Sequence, residues 1–219
     1  MNPIIAQRDG SYALSIEFPS GMVPPAVLEI LNRVVAEETA RLHVTTAQKL
    51  MLLDLTEAAA GRAVERLSKT GIRFKRPKEV YQPRVCVGSR YCRIGVTDAL
   101  SLGERIYERY GGGELPCNKL KSAVSGCKAS CAHSTIADIG FVGRRAGYDV
   151  FMGGKSGYRP VQGRLVASGV DEDEALRLMG RAIEIYREYH DPDDLNKTLV
   201  RLLDVMDGMG LDRFKALLS

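Results

Sequence analysis

No stretch of this 219-residue chain reaches the roughly 18 apolar residues that a membrane-crossing helix needs. The opening "MNPIIAQRDGSY" lacks a basic segment leading into an apolar run, so it does not read as a secretory signal. A cytoplasmic location is expected, with no membrane partner. There is no internal repeat and no low-complexity tract. Neither a flavin nor a dinucleotide fingerprint is visible, so electrons for any redox chemistry must come from outside the chain. The net charge of +4 is too small to imply nucleic acid, and the basic residues are not interleaved with aromatics in a recognised binding motif.

Cysteine is scarce as well: there are five, an odd number, and none sits in a short loop-rich framework. A chain of this length buries a core without staples, and 45% apolar with 26% charged residues is ordinary for a soluble globular protein. The thiols are therefore free, buried or metal-bound. Four of them cluster as Cys86, Cys92, Cys127 and Cys131, while Cys117 stands apart; it is expected to be a buried or partly exposed free thiol, with a ligand or redox role beside Lys119 as the alternative. The pattern is C-x5-C, thirty-four residues, then C-x3-C. Zinc knuckles close with two to four intervening residues, so the first pair fits a ribbon poorly, whereas an iron-sulfur cluster is larger and accepts wider spacing. The spacing favours the cluster and leaves a single zinc ion or unrelated buried thiols as alternatives.

Around these cysteines the chain reads as α+β. "ALSIEF" alternates as a strand with Leu14, Ile16 and Phe18 on one face, and Pro24 and Pro25 open an amphipathic helix. "RLHVTT" and "KLMLLDL" read as strands, and Thr56 caps a helix that Gly71 ends. After the Pro- and charge-rich "KRPKEVYQPR" come a helix over residues 97–113, strands in "LKSAV", "DIGFV", "YDVFM" and "RLVAS", and a helix opened by Asp171 with Glu174. "LNKTLVRLLDVM" is expected to be the last helix before the tail. The division expected is residues 1–78, 79–168 and a C-terminal helical cover over 169–219.

Two charge patterns stand out. Between Phe141 and Leu165 lie Arg144, Arg145, Lys155, Arg159 and Arg164 against one acid, Asp149, interleaved with Gly153 and Gly154. Glycines let backbone N–H groups approach an oxyanion, so the group suits a polycarboxylate; a solvated basic edge is the plainer alternative. Lys119 and Lys121 alternate on an expected strand and can converge on a single anion, or else guard a strand edge.

"CVGSRYC", "KLKSAVSGCKASC", "ADIGFVG" and "GYDVFMGGKSG", in that order over roughly residues 81–165, resemble the sirohaem and iron-sulfur domain of nitrite and sulfite reductases. "RLHVTTAQKLMLLDL" is similar to the ferredoxin-like half-domain that precedes it. The resemblance implies a [4Fe-4S] cluster on Cys86, Cys92, Cys127 and Cys131, with Cys131 bridging to sirohaem. It implies a cofactor pocket with Arg144, Arg145, Gly153, Gly154, Lys155 and Arg159, and a substrate site with Lys119 and Lys121 binding sulfite or nitrite. Ala47 stands where the family often has arginine after paired threonines. Tyr81 replaces another arginine, with Arg84 as a shifted substitute, and Lys128, Ala129 and Ser130 replace the usual proline and asparagine. His133 is a candidate proton or hydrogen-bond donor, with a structural histidine as the equal alternative. Larger relatives hold two such halves, so a homo-oligomer is expected, with an external donor such as ferredoxin.

Overall fold

The computed structural model describes residues 2–116, 120–189 and 200–219. Cys117, Lys119, His190 and the first part of the last expected helix lie outside the described residues. The chain divides into two compact units, residues 1–77 and 78–219.

The first unit holds β1 (Ile5–Ala6), β2 (Tyr12–Glu17), α1 (Pro25–Glu38), β3 (Arg41–Val44), β4 (Leu50–Leu55), α2 (Glu57–Ser68) and β5 (Arg73–Phe74); β2 to α2 follow the expected order of strand, helix, strand, strand, helix, and the two-residue strands β1 and β5 are additional. The sheet is antiparallel with order β1-β2-β4-β3, and β5 also pairs with β2. Both helices are read from their ends: α1 starts at Pro25, and the Thr56 hydroxyl accepts the Ala59 N–H to open α2. Their apolar stripes, including Leu31, Val34, Ala63 and Leu67, pack on Leu14, Ile16 and Leu52. Alternation along β2 predicts one polar, solvated face. Instead Glu17 is buried, because Lys49 reaches it in an ion pair that is itself buried.

In the second unit, β6 (Arg84–Val85), α3 (Gly88–Tyr91), α4 (Ala99–Tyr110), β7 (Ser122–Ser125), β8 (Ile139–Arg144), β9 (Gly147–Met152), β10 (Arg164–Val170), α5 (Glu172–Tyr189), α6 (Leu202–Met209) and α7 (Leu211–Leu218) build a mixed sheet of order β10-β9-β8-β7-β6. β6, β7 and β8 run parallel, while β8, β9 and β10 are antiparallel neighbours. Strand side chains alternate between faces. Val124, Ile139, Phe141, Tyr148, Val150 and Met152 face the helices and share one core with Leu102, Ile106, Met179 and Tyr186. Val200, Leu202, Val205, Met206, Phe214 and Leu218 belong to that same core. Asp171 caps α5 by accepting the Glu174 N–H at 2.8 Å, but the Glu174 carboxylate does not reach back; it holds Arg177 through both oxygens. The tail after the last expected helix is itself helical, since Gly210 (φ +85°) turns the chain from α6 into α7.

Candidate functional site

The site is built on the sheet face that the helices leave open. Register puts Arg84 and Cys86 of the β6 segment beside Lys121, Ala123 and Ser125 of the β7 segment on this face, with Gly140 and Val142 of β8 next to them. Cys86 follows β6 directly and Cys127 follows β7 by two residues, so both leave the carboxyl ends of neighbouring parallel strands. Cys92 closes the single turn of α3, its N–H donating to the Gly88 carbonyl at 2.9 Å. Cys131 lies at the end of a tight loop in which the Ser130 N–H donates to the Cys127 carbonyl at 3.1 Å.

This second loop folds back onto the strand it came from. The Ser125 hydroxyl lies 2.8 Å from that of Ser134 and accepts the Ala132 N–H at 3.2 Å. Ala123, Ala132 and Ala137 make a small apolar cluster against which Cys86 packs. The fit requires Gly140: a Cβ there would lie 1.8 Å from the Ser134 carbonyl oxygen.

The two cysteine loops meet through glycine. A Cβ on Gly126 would sit 2.6 Å from Gly88 Cα, one on Gly95 2.6 Å from the Gly88 carbonyl carbon, and one on Gly143 2.6 Å from the Gly126 carbonyl carbon. Main chain thus stacks on main chain across α3, the β7 end and the β8 end. The Val96 N–H donates to the Gly126 carbonyl at 2.8 Å, and the Gly126 N–H donates to Cys86 Sγ at 3.0 Å. An N–H donated to a cysteine sulfur is one of the means by which proteins set the potential of iron-sulfur centres.

All four cysteines are free thiols; Cys131 is exposed and the others half-buried. Among the described residues no three His, Cys, Asp or Glu side chains stand close enough to hold a metal ion. What unites the four thiols is a common end of the sheet. Four thiols on two loops suit a group with its own volume, whose ligands stand around it.

The basic residues expected to serve one cofactor lie in two groups along the β8–β9 hairpin. β8 and β9 form an antiparallel hairpin, with Arg144 opposite Gly147 at one end and Ile139 opposite Met152 at the other. Six residues of strand span about 17 Å, so Arg144 and Arg145 sit at the cysteine end while Gly153 to Arg159 sit at the far end. At the cysteine end a cavity of about 590 Å³ is lined in part by Ile94, Val96, Cys127, Lys128, Arg144 and Arg145. Arg144 is held by buried Asp149 at 2.8 Å, which also accepts the Ser168 hydroxyl at 2.6 Å, whereas Arg145 is exposed. At the far end Lys155 and Arg159 are exposed on the β9–β10 loop. Gly153 and Gly154 are buried and have a packing reason to be glycine, since a Cβ on Gly154 would lie 2.3 Å from the Ala137 carbonyl oxygen.

Lys121 is exposed but precedes β7 rather than lying in it, because its N–H goes to the Asp138 carboxylate at 2.8 Å instead of to a strand partner. Arg84 is half-buried, and burial pushes its guanidinium below the usual arginine range. His133 is exposed with φ +56° and opens the helical turn Ser134–Ile136.

Sequence reasoning misses Asp138, a fully buried carboxylate bound through both oxygens by Arg201 at 2.8 and 2.7 Å. Burial pushes its pKa up, against the opposing pull of Arg201 and of the Lys121 N–H. One signal was available: an acid opening an otherwise apolar strand, "DIGFV", needs a cation or donors.

The fold is a mixed sheet with helices on one face, and four free thiols stand on two loops that are joined where its parallel strands end. The model of the nitrite and sulphite reductase 4Fe-4S domain family matches residues 77–219. The assimilatory-type sulfite reductase of Nitratidesulfovibrio vulgaris is 34% identical over 197 residues, 84% of each chain. The nitrite reductase (NADH) large subunit of Escherichia coli is 29% identical over 217 residues, 97% of this chain and 25% of that one. Among solved structures, Mycobacterium tuberculosis NirA superposes with a TM-score of 0.77 at 21% identity over 98% of this chain and 41% of its own. Dissimilatory sulfite reductase I superposes with a TM-score of 0.78 at 11% identity over 94% of this chain and 68% of its own. The chain belongs to the nitrite and sulphite reductase family, and residues 77–219 are its 4Fe-4S domain.

Proposed function

We propose that the chain is a small sirohaem-dependent sulfite or nitrite reductase that receives electrons from an external donor such as ferredoxin. The observation that carries this reading is the joining of two distant cysteine pairs at one sheet end, with the Gly126 N–H bound to Cys86 Sγ. Cys86, Cys92, Cys127 and Cys131 would hold the [4Fe-4S] cluster, and Cys131, the most exposed of the four, would be shared with sirohaem. Cluster and sirohaem together would supply one-electron steps to the bound anion.

The chain's own residues do the rest. Arg145, Lys128 and Arg144 around the cavity suit an anionic, carboxylate-bearing group, Arg144 with part of its charge already met by Asp149. Lys121 and Arg84 share one sheet face and offer positive charge to sulfite or nitrite oxygens, Arg84 from a half-buried position where charge acts more strongly. Lys119 would extend that charge, and His133 offers a proton near Cys131. Ala47 and Tyr81, at the two departures from the family's arginines, favour a second reading, a non-catalytic electron-transfer or scaffold subunit.

Anaerobically purified protein should show iron, acid-labile sulfide and a Soret band with a red isobacteriochlorin band, and should reduce sulfite or nitrite with reduced methyl viologen. Zinc without iron would remove the cofactor assignment. A spectrally complete holoprotein that reduces neither anion leaves the scaffold reading. The same preparation, by light scattering, should be a homo-oligomer, most simply a dimer; a monomer would remove that part of the proposal.

A further inference from the structure

Asp138 is the most deeply buried acid among the described residues of the second unit, and the mechanism above does not use it. Three other segments converge on it. Its Oδ2 accepts the Lys121 N–H at 2.8 Å, and both its oxygens take the Arg201 guanidinium from the start of α6. Its carbonyl accepts the Gly153 N–H at 2.9 Å at the end of β9, and the next residue, Ile139, donates its N–H to the Lys121 carbonyl at 3.1 Å. Lys121 is therefore gripped on both sides of its Cα, by a side chain on one and by strand β8 on the other. Its own side chain is exposed. A flexible lysine gives a weak anion site unless its main chain is fixed, because ordering it costs entropy at the moment of binding. A fully buried carboxylate would be costly here without Arg201, so the cation from α6 keeps the grip charged.

We propose that Asp138 is the positioning residue for Lys121, fixing its main chain so that its ammonium meets the substrate anion, and that Arg201 holds Asp138 in that role. This rests on the reading of Lys121 as an anion ligand. Asp138→Asn keeps the shape and an acceptor oxygen but loses the charge, and Arg201→Gln removes the cation should the first variant fail to fold.

In the holoprotein, Asp138→Asn is expected to raise the sulfite Kd from equilibrium dialysis and the KM about tenfold, with kcat within about twofold and the visible spectrum unchanged. Lys121→Ala should weaken sulfite by at least as much, and Asp138→Asn added to Lys121→Ala should change Kd no further. A role in folding alone would weaken binding equally in both backgrounds, and that outcome overturns the proposal. An unchanged Kd in both Asp138→Asn and Arg201→Gln also overturns it. An unchanged Kd in Lys121→Ala removes the anion-ligand reading itself, and the positioning role falls with it.

Discussion

Tyr148 shows how one residue links the core to the site. Its ring is buried among the helix-facing side chains of β9, and its hydroxyl donates to the Asp98 carbonyl at 3.1 Å. Asp98 is the residue that caps α4 through the Ser101 N–H and pairs with Arg90 of the first cysteine loop. Burial raises the Tyr148 phenol from its ordinary 10.0 to about 12. A raised acid holds its proton in the folded state after the unfolded chain has lost it, so its contribution is intact below about pH 10 and is lost as pH rises through about 12. Melting temperature followed from pH 8 upward should therefore fall through that window. Tyr148→Phe should flatten the fall while costing about 1 kcal/mol at neutral pH for the lost hydrogen bond.

At the scale of elements, the strands and helices with a clear period were legible. β7, β8, β9 and β10 fall on the four short apolar runs, and α1, α2, α4 and α5 carry start or stop signals that operate through named atoms, such as the Thr56 and Asp171 caps. β6 was missed because two residues between Pro83 and Cys86 have no periodicity to read. That the basic residues lie at two ends of a hairpin is not legible in a list of charges along the chain, which ignores the reversal at Gly147. The carboxylate of Asp138 and the guanidinium of Arg201 are 63 residues apart in sequence, a separation at which no local pattern operates. The two cysteine pairs stand out in the sequence by their spacing, but the contact that brings their two loops together does not, since glycine leaves no hydropathy signal. That contact is testable. Gly126→Ala places a methyl 2.6 Å from Gly88 Cα and 2.9 Å from the Thr97 carbonyl oxygen. We expect it to lower stability by about 1–3 kcal/mol in urea unfolding and to reduce the iron bound per chain. Gly61→Ala in α2, where no atom lies within 4 Å, serves as control and should stabilise by about 0.5–1 kcal/mol.

For the molecule as a whole, the last two helices are part of the second unit's interior. Six side chains from Val200 to Leu218 are buried in the core that also holds Phe141 and Val150. At roughly 1.5–3 kcal/mol for each large apolar side chain, their burial contributes on the order of 10 kcal/mol. That is comparable with the entire net stability of a typical domain, about 5–15 kcal/mol. A chain ending before Val200 should lose its cooperative melt by circular dichroism; an unchanged melt would mean that the sheet and α4–α5 suffice.

The stacked glycines of the cysteine end carry a consequence of their own. Where peptide rests directly on peptide there is no rotamer to turn and no flexible tip to retract, so the gap between the two sulfur-bearing loops behaves as a fixed gauge. A cargo larger or smaller than the one it was shaped for would have to be met by rebuilding the chain path, since no substitution of neighbouring side chains could reset that spacing.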